Sequence, residues 1–239
     1  MTEKDRINIG AFIAHHNIIR PVEYPWFGVK LISALYLLIS IRFSISQPDT
    51  AEPTIIPYLG LIVSAILLIA GMLIEKRIVK NYNKSPGWCL YLSQSIMYVY
   101  CMIIGTLAIL LVIGFIWPQK VIDVIAATFI LVAVTIGTAY LLTRKVIKAG
   151  YYQKCENAIS EPIIAFSSSS VSIVIYMIFF QFVKETFTGL GYAILAVIMV
   201  EIASVLALIY YLKLKYAKKY NLEEYLPEKP IPSSYTNQL

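Results

Sequence analysis

The chain of 239 residues is 59% hydrophobic and 14% charged, with a formal net charge of +6 and a mean hydropathy of +0.72. Soluble domains carry about 25% charged and about 45–50% apolar residues, so this balance points to a membrane protein. Spans of about 20 residues use up its length and exclude a separate soluble domain. The cysteines Cys89, Cys101 and Cys155 are scattered without a C-x-x-C pair, which argues against a disulfide framework or a zinc site, and the only histidines, His15 and His16, precede the first span, which excludes an intramembrane bis-histidine haem.

Residues 1–25 read as a cytoplasmic N-terminal segment. No apolar region followed by a small-residue cleavage site occurs there, so the first span is expected to direct insertion itself. Within the segment Ile7, Ile9, Phe12, Ile13, Ile18 and Ile19 mix with polar neighbours and predict a short interfacial helix ending near Pro21.

Six transmembrane helices are predicted at 26–46, 55–75, 88–117, 121–142, 162–183 and 189–212, making 26–212 an all-α bundle. Lys30 and Arg42 lie inside the edges of the first span, placed to snorkel to opposite faces. The third run would reach roughly 45 Å at 1.5 Å per residue, so it tilts or protrudes. Asp123 opens the fourth span, where a helix N-terminus favours an acid.

The connectors alternate in charge. Lys4, Arg6 and Arg20 precede the first span; Lys76, Arg77, Lys80 and Lys84 follow the second. Arg144, Lys145, Lys148 and Lys154 follow the fourth, and Lys213, Lys215, Lys218 and Lys219 follow the sixth. The intervening connectors hold only Lys120 and Lys184. The positive-inside rule then places both chain ends in the cytoplasm of a multi-pass protein, with the plasma (inner) membrane as the expected location. This makes the positive charge a topology signal suited to anionic lipid headgroups rather than a nucleic-acid footprint. It also makes Asn83-Lys84-Ser85, a glycosylation pattern, void in a cytoplasmic loop.

Ser93-Gln94-Ser95-Ile96 and Ser168-Ser169-Ser170-Val171 lead to Val99, Met102, Ile103 and to Val174, Met177, Ile178 at equal spacing. Together with the recurring basic stretches this predicts three stacked helical hairpins. Residues 213–239 read as a basic juxtamembrane helix followed by a tail with proline and polar residues and no fixed helix.

Glu201 carries the main functional expectation. It lies twelve residues from both Gly189 and Lys213, where an acid costs roughly 2.5–3.5 kcal/mol on insertion scales unless it faces a partner or water. With Ser204 one turn on, Ser168, Ser169 and Ser172 on the fifth span, and Ser93, Gln94 and Tyr98 on the third, it outlines a polar path opening to the cytoplasm. The same serines also serve close helix packing.

Neither H-E-x-x-H, G-x-S-x-G, a P-loop nor paired intramembrane aspartates occurs, so no enzyme, cofactor or metal is expected. Two functions follow: a membrane subunit associated with transport or secretion through the path around Glu201, or a non-catalytic structural or assembly subunit that holds other membrane subunits.

Overall fold

The computed structural model describes residues 2–15, 30, 31, 33, 34, 37, 38, 41, 56–81, 86–116, 121–154, 163–170, 174 and 187–227. No strand occurs among them. The helices are α1 (Glu3–Ala14), α2 (Ile56–Asn81), α3 (Pro86–Ile116), α4 (Val121–Lys148), the short α5 (Tyr151–Lys154) and α6 (Phe187–Tyr220), followed by a 3-10 turn at Glu223–Tyr225. Residues 163–170 are helical as well.

Three of these helices are long and apolar enough to cross a membrane, over Gly87–Leu110, Ile125–Lys148 and Val197–Tyr220. Twenty-four residues each give roughly 36 Å of helix, enough for a hydrocarbon core of about 30 Å. Six crossings were predicted, so among the described residues the structure supports fewer. The 55–75 run falls inside α2 from Ile56 on, while most of 26–46 and of 162–183 lies outside the described residues. At their edges Lys30 Nζ pairs with Glu75 Oε2 at 2.5 Å, so Lys30 finds an acid on α2 where snorkelling alone was expected.

Helix ends explain the differences in length. Pro86 starts α3 at the first-turn position, where its missing N–H costs nothing. Helix α4 runs six residues past the predicted span end at 142, and α6 runs without a break through 212 into the expected basic juxtamembrane helix as far as Tyr220, because the basic stretches beyond the spans contain neither Gly nor Pro. Gly150 stops α4 in the left-handed region (φ 68°), with its N–H on the Ile147 carbonyl. Asn221 stops α6 the same way (φ 52°), and the Leu222 N–H then reaches back to the Ala217 carbonyl at 2.9 Å. Lys145 and Lys148 close α4, and Lys218 and Lys219 close α6, each complementing a negative helix end.

The most extensive helix contact is between α3 and α6, with the start of α3 meeting the end of α6. Helices α3 and α4, expected as the arms of one hairpin, touch each other far less than either touches α6. Of the α6 apolar window 67% is buried, against 28% in each of the other two, so α6 is the central post. On one side it shares a core of Leu90, Tyr91, Tyr210, Leu214 and Leu222. The other core joins Ala139, Ile147, Ile164, Val205 and Ile209. Outer faces such as Ile62, Ile66, Ile69 and Leu73 on α2 stay exposed, suited to acyl chains.

Candidate functional site

Glu201 is completely enclosed on α6, between the buried Val200 and Ala203. The Ser204 hydroxyl, also buried, donates to the Glu201 main-chain carbonyl at 2.7 Å. On α3, Ser93 and Gln94 are buried, and the Gln94 side-chain oxygen meets no hydrogen-bond donor among the described residues. Half-buried Tyr98 stacks on Tyr210 at 6.0 Å and 13°. Nearby, Ser95 Oγ donates across to the Ala207 carbonyl at 3.3 Å.

Ser168 and Ser169 are buried and donate to the carbonyls of Ile164 and Ala165, one turn back, at 2.6 and 2.8 Å. Such bonds satisfy the hydroxyl within its own helix. The structure therefore gathers Ser93, Gln94 and Tyr98 on the α3 side of α6. The stretch carrying Ser168 and Ser169 belongs to the core shared with α4. Ser172 lies outside the described residues.

The most specific arrangement lies at the other end of α6, around a residue read from sequence only as part of a basic tail. Helix α1 begins with a capping box: Thr2 Oγ1 accepts the Asp5 N–H, and Asp5 Oδ2 accepts the Thr2 N–H, both at 3.2 Å. The Thr2 hydroxyl bond, followed by the Thr2 amide bond, holds the Asp5 carboxyl below its ordinary value. The last turn of α1 contains no basic residue. Its carbonyls are met from elsewhere: Lys213 Nζ donates to the His15 carbonyl and the Tyr91 hydroxyl to the Ile13 carbonyl. A cation at a helix C-terminus answers both the orphan carbonyls and the negative dipole end.

Lys213 is fully buried. Its ammonium lies 5.5 Å from the Phe12 ring centroid, 5.2 Å from Tyr91 and 5.2 Å from Tyr210. Three aromatic faces and a carbonyl replace the water a lysine loses on burial. Phe12 and Ile13, adjacent on α1, enter the two cores on either side of α6. Lys213 was expected at the water boundary of the tail; it is instead the bolt fastening α1 into the bundle.

The remaining contacts close a compact head. Asn8 donates to the Lys148 carbonyl at 3.4 Å and accepts from Gln153 at 2.7 Å, joining α1 to α4 and α5. A Cβ on Gly10 would stand 2.7 Å from the Tyr225 ring, and one on Gly87 would stand 2.8 Å from both Leu226 Cβ and the Pro227 carbonyl. Helix α1 and the start of α3 thus lie flush against the chain that follows α6. Exposed Arg6 and Glu224 add a surface pair at 3.4 Å.

Between α1, α4 and α6 the head encloses an open cavity of about 560 Å³. Arg144, Lys148, Lys215 and Lys219 line it with four cations, against the single carboxylate of Asp5. Tyr140, Tyr216 and Tyr220 add hydroxyls. The Arg144 guanidinium rests over the Tyr140 ring at 5.7 Å and the Lys219 ammonium over Tyr220 at 5.2 Å.

The bolt was legible in principle. Continuing the buried spacing Ala203, Ala207, Tyr210 past Leu212 puts positions 213, 214 and 217 on the inner face. The cavity had no such signal, since it needs α1 to sit on two helices far along the chain. His15 accepts from Lys213 through its main-chain oxygen, and its ring meets Tyr152 at 5.2 Å. Among the described residues no three His, Cys, Asp or Glu side chains gather as a metal site would require. Comparison with family models, with curated proteins and with solved structures finds no match, so the functional reading rests on this chain's own residues.

Proposed function

We propose that the chain is a multi-pass membrane protein with six crossings and both ends on the cytoplasmic side of a plasma (inner) membrane, serving as a non-catalytic structural or assembly subunit. The packed head carries this reading: α1, α5, the ends of α4 and α6 and the following turn are fastened by specific bonds into one cationic body. An ordered surface of that kind suits holding partner subunits. The own-helix bonds of Ser168, Ser169 and Ser204 suit helix packing in the body below.

A second reading, a subunit associated with transport or secretion, draws on complete enclosure of Glu201 in the span and on buried Gln94. The two readings separate in two measurements. Purification from the native membrane should recover the chain with other membrane subunits in fixed ratio, and that assembly should fail when the chain is removed. If the chain instead purifies alone and drives cation or proton flux in proteoliposomes that Glu201→Gln abolishes, the assembly reading is wrong and the transport reading stands.

A further inference from the structure

We infer that the head cavity binds the phosphate of an anionic glycerophospholipid, whose acyl chains lie along the exposed face of α4. The chemistry of the lining comes first. Four cations converge there, and the one acid is already engaged in the capping box with Thr2. Arg144 brings a planar fork matched to phosphate oxygens, the lysines bring point charges, and the tyrosines bring neutral donors. The volume of about 560 Å³ falls within the roughly 300–1,000 Å³ of small-ligand sites.

Position then favours a lipid over a free anion. The stretches of α4 and α6 that are long and apolar enough to cross a membrane reach Lys148 and Tyr220, both in the lining, so on the proposed topology the cavity stands where a span gives way to headgroups. Immediately below Arg144 the α4 surface is apolar and uncovered: Leu141, Val134 and Ile130 are exposed, and a Cβ on Gly137 would meet nothing within 4 Å. Free phosphate would use the cations alone. A lipid would use both the cations and the apolar track.

The inference rests on the proposed placement of the basic end in the headgroup layer, and labelling of that end in intact membranes tests the placement separately. The binding test uses delipidated full-length chain in detergent, titrated with phosphatidylglycerol or phosphatidylcholine and read by native mass spectrometry. Phosphatidylglycerol should bind more tightly. The double variant Arg144→Gln, Lys219→Gln should lose about 30-fold in its affinity. Lys145→Gln, Lys218→Gln removes the same charge from the same helices outside the lining and should keep wild-type affinity. All four side chains are exposed, so both variants should fold, as thermal unfolding verifies. Equal losses in the two double variants, or no preference between the lipids, would overturn the site. If inorganic phosphate binds as tightly as phosphatidylglycerol and displaces it, the occupant is a free anion and the lipid assignment fails.

Discussion

The head and the body of this protein are held together in different ways. In the body, α3 and α6 meet along apolar faces, and hydroxyls such as Thr106, Ser168 and Ser204 donate to carbonyls of their own helix. In the head, the bonds are long-range and one of a kind: Lys213 to His15 across 198 residues, Gln153 to Asn8 across 145, Tyr91 to Ile13 across 78. Hydrocarbon gives helices little reason to associate beyond packing, whereas a head that lies outside it, as the proposed topology has it, gains from burying apolar and aromatic surface. The body should therefore tolerate substitution that the head does not.

The severest way to break that contrast is Lys213→Ala. It removes a fully buried side chain and leaves the His15 carbonyl without that donor, so a loss of roughly 3 kcal/mol or more is expected. Unfolding in detergent measures it, and Lys213→Arg should not rescue a cage built for an ammonium. An unchanged stability would mean that α1 is not bolted to the bundle.

Gly87→Val should come next, at about 1–3 kcal/mol, because the new side chain collides with Leu226 and with the Pro227 main chain. Limited proteolysis should then cut after α6 faster than in the parent chain. The same change at Gly137, where space is open, serves as the body-side control and should cost far less.

Tyr91→Phe keeps the ring beside Lys213 and deletes only the hydroxyl donating to Ile13. A loss of about 1 kcal/mol, with faster hydrogen exchange in the last turn of α1, is expected.

The smallest effect should come from pH. The folded Asp5 carboxyl titrates below its unfolded value, so its contribution is complete above the ordinary carboxyl pKa of about 3.9 and disappears as pH falls through the lowered folded value. Acidification across that window should loosen the first turn of α1 in hydrogen exchange. Thr2→Ala should reproduce the loosening at neutral pH, at a cost of about 1 kcal/mol, and blunt the acid response.

The same contrast explains what could be read in advance. The apolar runs of α3, α4 and α6 announce themselves by hydropathy, and Asp123 marks a helix start. The crossings in α4 and α6 are read as ending at 142 and 212 because Arg144 and Lys213 look like the edge of a span. The basic juxtamembrane helix expected from 213 is present, and the backbone shows it to be one unbroken helix with the span before it, up to Asn221, as α4 is up to Gly150. The placing of Lys213 under α1 depends on Phe12 and Tyr91, which no local window joins to it. Charge read as a sidedness signal conceals charge used in packing.

The fastening of α1 has a consequence for biosynthesis. Its carbonyls at Ile13 and His15 wait for Tyr91 and Lys213, and Gly10 waits for Tyr225, so α1, made before α6, finds its seat only after α6 and the turn that follows it are complete. Until then Phe12 and Ile13 lack the two cores that bury them in the folded chain. Docking of α1 is in this sense a checkpoint on synthesis through α6 and the turn after it: chains that stop before the end of α6 leave it undocked.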